Sequence, residues 1–427
     1  MADRPAERFD QSKPDNPPGG ADAGALVAKR AARRIWIINQ YASTPQNGIG
    51  GRHHHLAAEL VKLGHEVTVI SARWHHLRND KPGNPPERET GQSYRSVELD
   101  VPRYAHAHDP WRVAGWFVFA WKLARLGRKG EPRPDMIIYS SPSPIGYLGA
   151  EHLARRLKAE LVFEVRDIWP LTLVELGGHS VYHPFILFLQ WLENRACRTC
   201  DLAISNLRGA EAHMRDHGLA PGKFVWIPNG FSRRSFDAMT PLDVKTAAQI
   251  PRDSLIVGYA GTFGEANALE SLVDAAHLLR DEPGLAFVLV GDGRLKPVLR
   301  RRIEALKPGN VILLDRIPAN QIPALLQRFG ICFSGTKPSH LYEYGIAANK
   351  LPEYLYSARP ILHAYSGKHD PVAENGAGLT VEPGNAEAIA AAIRRLKAMT
   401  AAERAAMGSR GRAVPKPDMT MPGWRSS

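Results

Sequence analysis

Cysteine is scarce. Three residues among 427 carry thiols, none at the spacing of a disulfide framework, which excludes a small stapled secreted fold and fits a reducing compartment. No charged-then-apolar leader opens the sequence, and the expectation is a cytoplasmic protein. Long apolar runs are also missing. The longest, Val113 to Ala120 followed by Trp121, is broken by Lys122, well short of the ~20 residues that a spanning helix needs. Acidic residues are outnumbered, 43 against 55 Lys and Arg, for a net charge of +12. That balance favours an anionic partner: nucleic acid, acidic lipid or a phosphorylated substrate. A single-strand groove would interleave aromatics with Lys and Arg, and no such module is found, so no nucleic acid is expected.

What is present is an ordinary globular composition, 44% hydrophobic and 23% charged, on a chain too long for one core. Residues 1–33, rich in Pro, Asp, Gly and Ala, read as a disordered tail. Order begins with the buried-strand run Arg34-Ile35-Trp36-Ile37-Ile38-Asn39, then a Gly-bearing loop, a helix from His54 to Leu63 stopped at Gly64, and the strand Glu66 to Ser71. This is a βαβ unit, and it implies a parallel sheet. Strands at Met136–Tyr139, Leu161–Val165 and Leu202–Ser205 continue the alternation to the turn Pro228-Asn229-Gly230. A second series follows, with strands at Leu255–Tyr259, Ala286–Val290, Val311–Leu314, Ile331–Ser334 and Pro360–His363 and a last helix at Ala386–Met399. The fold class expected is α/β with two Rossmann-like domains, 34–230 and 231–400, and a C-terminal tail at 401–427.

In open parallel sheets ligands bind outside the carboxyl ends of strands, so candidate residues should follow strands. Gly48-Ile49-Gly50-Gly51-Arg52 follows the first strand, where Gly50 and Gly51 could let backbone amides approach a phosphate; a tight turn is the plain alternative. His53, His54 and His55 come next, but successive helical side chains diverge by roughly 100° and cannot share one metal ion. Arg166 and Asp167 emerge directly after an apolar strand and either pair with each other or face a ligand. In the second domain, Gly345 could open backbone amides, Lys350 supplies a cation for a diphosphate, and Glu353 can accept from sugar hydroxyls. Gly261-Thr262-Phe263-Gly264 could cradle the same phosphates, and Val290-Gly291-Asp292-Gly293 has the form of a nucleotide-binding turn. Cys197 and Cys200 form a C-x-x-C without a second ligand pair, which points to a packing role rather than zinc or redox work.

Taken together, the sequence resembles the bacterial retaining glycosyltransferases of family 4, the group 1 class, in the branch that builds O-antigen and capsule and transfers amino sugars. The resemblance spans about Arg34 to Ala398. It rests on Trp36-Ile37-Ile38-Asn39-Gln40-Tyr41, Gly50-Gly51-Arg52-His53, Gly64-His65-Glu66-Val67-Thr68-Val69, Arg166-Asp167-Ile168-Trp169-Pro170, Pro228-Asn229-Gly230, Val290-Gly291-Asp292-Gly293, Tyr344-Gly345-Ile346 and Asn349-Lys350-Leu351, in that order and spacing. It implies a GT-B fold and a nucleotide sugar as substrate with no cofactor and no metal. It further implies retention at the anomeric carbon and a leaving diphosphate neutralised by Lys350 with the loop amides near Gly261, Thr262 and Gly345. Asn349 joins the implied donor site. Glu353 matches the second acid of the family's E-x7-E signature, while the first would fall at Gly345, leaving Glu343 to reach the sugar from two residues earlier.

The function expected is transfer of a hexosamine-type sugar from UDP to an acceptor in the first domain, carried on a polyprenyl diphosphate, with Asp167, Arg166 and Glu343 as catalytic candidates. An epimerase acting on a UDP-sugar is the alternative on the same fold, and a basic nucleic-acid binder is the third reading. The segment Trp111 to Arg133 sets Trp111, Trp116, Phe117, Phe119 and Trp121 ahead of Lys122, Arg125, Arg128 and Lys129. That composition suits peripheral attachment to an anionic inner membrane face; aromatics in the core and solvated cations are the alternative.

Overall fold

The computed structural model describes residues 31–43, 51–76, 93–104, 109–127, 132–175, 177–231 and 233–413. The calls on Gly50, Arg128 and Lys129, and nearly all of the expected N-terminal tail, lie outside the described residues.

In the first domain seven strands form one parallel sheet: β1 Arg34–Ile38, β2 Glu66–Ala72, β3 Arg95–Leu99, β4 Met136–Ser140, β5 Glu160–Val165, β6 Leu202–Ser205 and β7 Phe224–Trp226. Their spatial order is β3-β2-β1-β4-β5-β6-β7. Strand β1 shows why the run reads as it does: Ile35, Trp36, Ile37 and Ile38 are all buried, because helices cover both faces of a doubly wound sheet. Ile38, Phe119, Leu123, Tyr147 and Leu153 pack on one face. Ile37, Ala57, Val67 and Val69 pack on the other.

The second domain repeats the plan with β8 Leu255–Ala260, β9 Leu285–Val290, β10 Val311–Leu314, β11 Ile331–Gly335, β12 Ile361–Ala364 and β13 Gly378–Val381. The order is β10-β9-β8-β11-β12-β13, again parallel throughout. Each sheet therefore reverses its winding at one crevice, between β1 and β4 in the first domain and between β8 and β11 in the second. Those crevices are where such sheets bind ligands.

The expected tail at 401–427 is corrected for its first part. Ala401–Arg412 is a helix, opened by a capping box in which Thr400 and Glu403 satisfy each other's backbone amides. Met407 is buried in the second core. Gly408 lets the helix lie directly on the chain: a Cβ there would meet the Ala358 carbonyl oxygen at 2.1 Å. Three strands were not expected. β3 and β7 are sheet edges with few buried side chains, and β13 is half-buried along its length, so none carries the continuous apolar run of an inner strand.

The domains touch along one seam. Leu341, Tyr344 and Ala347 of the second domain pack against the first core, and the Gly209 amide donates to the Tyr344 carbonyl at 2.8 Å.

Candidate active site

In the first domain the crevice is closed by polar side chains at the strand ends. Asn39, one residue past β1, is buried and donates to the carbonyls of Ser140 and Ser141 at the end of β4, at 3.1 and 2.7 Å. It thereby bridges the switch point. The helix Arg52–Lys62 starts beside it. Arg52 sends Nε and Nη2 to Glu164 Oε1 at 3.1 and 3.0 Å, and Nη1 to the Pro228 carbonyl and Asn229 Oδ1 at 3.2 and 3.1 Å. His53, also buried, lies 2.9 Å from Ser140 Oγ and 3.5 Å from Glu164 Oε2.

Burial pushes the Glu164 carboxyl up. The nearby His53 ring and the charges of Arg52 and Arg166 outweigh that push and hold it well below the usual carboxylate range. Glu164 is therefore an ionised anchor for Arg52 rather than a proton donor. Burial also pulls His53 below its ordinary value, so its imidazole is neutral. The histidine run uses separate partners, as the helical divergence requires: His53 meets Ser140 and His54 meets the Tyr94 hydroxyl at 2.8 Å.

Arg166 and Asp167 sit where β5 ends. The Arg166 amide donates to Ser141 Oγ at 2.9 Å, its Nε is buried without an acceptor, and Asp167 is exposed. Among the described residues no salt bridge joins the two, but the Arg166 charge still pulls the Asp167 carboxyl down against the upward push of desolvation.

The second-domain crevice is built around glycines. The loops after β8 and β9 touch so closely that a Cβ on Gly291 would lie 1.9 Å from the Gly261 carbonyl oxygen, and one on Gly293 2.6 Å from that of Phe263. The Val-Gly-Asp-Gly turn is thus a packing requirement of the crevice. Lys350 reaches into this loop pair. Its Nζ donates to Tyr259 Oη at 3.0 Å and to Asn267 Oδ1, and stands 4.3 Å over the Tyr259 ring. Tyr259 and Asn267 in turn donate to the Thr262 carbonyl at 2.7 and 3.0 Å. Burial pulls Lys350 down from 10.5 to about 7, because its neighbours are neutral and desolvation disfavours the ammonium form.

Glu353, in the helix Leu351–Tyr356, is half-buried, and burial lifts its carboxyl above the ordinary value. Its side chain has no hydrogen-bond or ion-pair partner among the described residues. A cation of lowered proton affinity and a carboxyl group without a partner among the described residues therefore stand three positions apart at the start of one helix.

Other candidates land differently. Gly51 has φ −62°, an ordinary helical-side conformation that any residue adopts, so its lack of a Cβ is not needed for the turn. Gly345 does need its conformation, at φ +101°, but its amide already donates to the Tyr342 carbonyl at 3.1 Å. It shapes the seam and offers no anion-binding N–H. Gly261 likewise spends its amide on the Val290 carbonyl at 3.0 Å, whereas the Thr262 amide donates to no protein acceptor among the described residues. Asn349 is taken by the seam: its Oδ1 accepts from Asn229 Nδ2 at 3.0 Å. Glu343 is exposed in the turn Ser339–Gly345. Arg52 and Asn229 stood in the quoted motifs without a role of their own, and Glu164, Tyr259 and Asn267 were not foreseen as site residues. Glu164, a charge inside an apolar strand, was the one signal available in the sequence.

Cys197 and Cys200 are buried and unpaired, with burial pushing Cys200 up to about 12, which agrees with a packing role. In the helix Pro110–Arg125 the aromatics divide. Trp116 and Phe119 are core, as the alternative reading has it, while Trp111, Phe117 and Trp121 are 62%, 47% and 54% exposed. Arg125 lies over the Trp121 ring at 3.6 Å. Phe117 stacks on Phe188 of the neighbouring helix Pro184–Thr199, and Phe188 on Trp191, each pair 6.2 Å apart, so the exposed aromatics span two helices. Among the described residues no helix is long and apolar enough to cross a membrane.

Residues 47–230 match the glycosyl transferase 4-like domain, and residues 254–398 match the glycosyl transferases group 1 domain. WcaI of Escherichia coli (strain K12), described as a colanic acid biosynthesis glycosyl transferase, is 25% identical over 383 residues, covering 85% of this chain and 91% of that protein. Sucrose-phosphate synthase of Thermosynechococcus elongatus superposes with a TM-score of 0.69 at 18% identity, over 89% of this chain and 93% of that one. HepE of Anabaena, solved with UDP and glucose, superposes at 0.63 with 16% identity, over 90% and 94%. These likenesses show the GT-B fold, and the domain matches favour transfer over epimerisation.

Proposed function

Because the chain belongs to the family 4, group 1 glycosyltransferases, we propose that it moves a sugar from a UDP-sugar held by the second domain to an acceptor held by the first. The observation that carries this reading is the crevice after β8, where Lys350 is held at about 7 by burial at the cap of the helix whose first turn carries Glu353, a side chain without a partner among the described residues. A diphosphate at Lys350 would supply the missing counter-charge, and ribose hydroxyls at Glu353 would supply the missing donors. The similar HepE structure contains UDP and glucose, which supports the choice of nucleotide.

In this scheme the sugar is a hexosamine, the acceptor is carried on a polyprenyl diphosphate, and the anomeric configuration is retained. No metal takes part in the transfer. Lys350 and the free Thr262 amide neutralise the charge that grows on the leaving diphosphate. Asp167 and Arg166 face the transferred sugar or the acceptor from the opposite wall, with Glu343 beside the seam. A lipid-borne acceptor suits the exposed aromatics Trp111, Phe117, Trp121 and Trp191, with Lys122 and Arg125 alongside, as a surface that rests on an anionic leaflet.

The test is to incubate the full chain with UDP-hexosamines and UDP-hexoses, with and without a lipid-linked saccharide, and to follow UDP release and product mass. The reading expects UDP release that depends on the acceptor and a product heavier by one sugar with the donor's anomeric configuration. Conversion of the donor to its epimer without acceptor would overturn it.

A further inference from the structure

Away from the crevice, three metal-ligating side chains converge on one point of the first domain. Glu193 comes from the helix Pro184–Thr199, His213 from the helix Ala210–Asp216, and His217 from the position that caps it. One ligand atom from each lies within 4.8 Å of the other two. His213 and His217 are four apart, which puts both rings on one helical face, and their centroids are 4.3 Å apart. Glu193 and His213 are buried; His217 is half-buried.

The polar atoms are already drawn together. His213 Nε2 lies 2.8 Å from Glu193 Oε1. Gln190 Nε2 lies 2.7 Å from Glu193 Oε2 and 3.2 Å from His217 Nδ1, so it spans the two outer ligands as an orienting group. On its open side the cluster borders a cavity of about 320 Å³, whose walls include Val174, Val181, Ile186 and Leu187. Across the seam the Tyr344 ring of the second domain stands edge-on to His213, 5.2 Å away.

We propose that Glu193, His213 and His217 form a binding site for one divalent transition metal of the zinc class. Two imidazoles and a carboxylate are the donor set of such ions, not of calcium or magnesium, which take oxygens alone. Three protein ligands on one side and a cavity on the other give a tetrahedral ion a fourth position for water. Around zinc the ligand atoms stand roughly 3.3 Å apart, from bonds of about 2.0–2.1 Å; His217, the least buried of the three, closes that gap by turning about its side-chain torsions. The ion would replace the hydrogen bond between His213 and Glu193 and would fasten the helix of His213, against which Tyr344 packs, to the helix of Glu193. None of its three ligands belongs to the loop around Lys350, and no step of sugar transfer is assigned to the ion.

The test uses the full chain without an affinity tag, titrated with Co(II) and followed by its visible absorption, and dialysed against Zn(II) for elemental analysis. Three variants are compared: His217→Ala, whose side chain lies at the edge of the core and whose fold is checked by circular dichroism; Glu193→Gln; and His55→Ala as a control in the histidine run. The parent and His55→Ala should bind a single zinc with tetrahedral Co(II) bands and a raised Tm. His217→Ala should lose more than about tenfold in affinity with its apo Tm unchanged, and Glu193→Gln should lose the bands. A parent that binds no metal, a His217→Ala variant that binds as tightly as the parent, or binding that vanishes in His55→Ala overturns the proposal.

Discussion

Lys350 Nζ rests 3.0 Å from Tyr259 Oη and 4.3 Å above the same ring. Its hydrogen-bond partners, Tyr259 and Asn267, are neutral, and among the described residues no anion pairs with its ammonium form. A lysine that drops from 10.5 to about 7 on folding carries fewer protons folded than unfolded between those pH values. Stability therefore rises as pH climbs through that window, and the cost of the buried ammonium is fully felt below it. Lys350→Met should raise Tm at pH 7 and raise it less at pH 10, while donor use falls severely. Thermal melts at both pH values with a turnover assay check this; equal destabilisation at both would make Lys350 structural.

Asp167→Asn should lower kcat by about a hundredfold and change the donor KM little, if the carboxylate orients the sugar or acceptor and not the nucleotide. Steady-state kinetics with varied donor separate the two constants. A loss confined to KM would move Asp167 into the nucleotide site.

Arg52→Met strands the Glu164 charge, and removing one partner of a buried pair costs about 3–5 kcal/mol. Glu164 has its folded value depressed, so its contribution is present above about 4.5, the unfolded value, and fades as pH falls below it. The double variant Arg52→Met, Glu164→Gln should recover much of the loss. Denaturant unfolding of the cycle at pH 7 measures the coupling; additive losses would mean the pair is not a unit.

These predictions draw unequally on the sequence. Strands β1, β4, β5 and β8 were legible because buried parallel strands are written as unbroken apolar runs, and Lys350 because it is the single Lys or Arg in the Gly-bearing stretch Tyr342 to Tyr354. The Arg52–Glu164 link was not, since 112 residues separate the partners and only the β1, β4, β5 order brings them together. Asn349 was read as a ligand contact because the sequence does not show Asn229 arriving from the other domain. Trp116 and Phe119 were grouped with Trp111, Phe117 and Trp121 by composition, whereas helical phase turns them inward. The helix Ala401–Arg412 was readable from Thr400 and Glu403, three apart as a capping box demands, and the Pro and Gly beyond it obscured that signal.

Vesicles containing anionic lipid should bind the chain at low salt and release it at high salt, since each cation near such a leaflet contributes about 1 kcal/mol. Replacing Lys122, Arg125, Arg128 and Lys129 by Glu should weaken binding, and so should Trp121→Ala with Trp191→Ala. Sedimentation with vesicles reads both. A quadruple variant that binds as well as the parent would point to a soluble acceptor.

The donor site is tested most directly by calorimetric titration of the full chain with UDP between pH 7 and 9, beside Lys350→Met and Glu353→Gln. If the diphosphate lies on Lys350, binding restores the proton that burial removes, and Kd should rise about tenfold for each pH unit above 7. Lys350→Met should bind weakly with no such slope, and Glu353→Gln weakly with the slope intact. UDP that binds the parent and Lys350→Met alike, with the same pH dependence, would contradict the account.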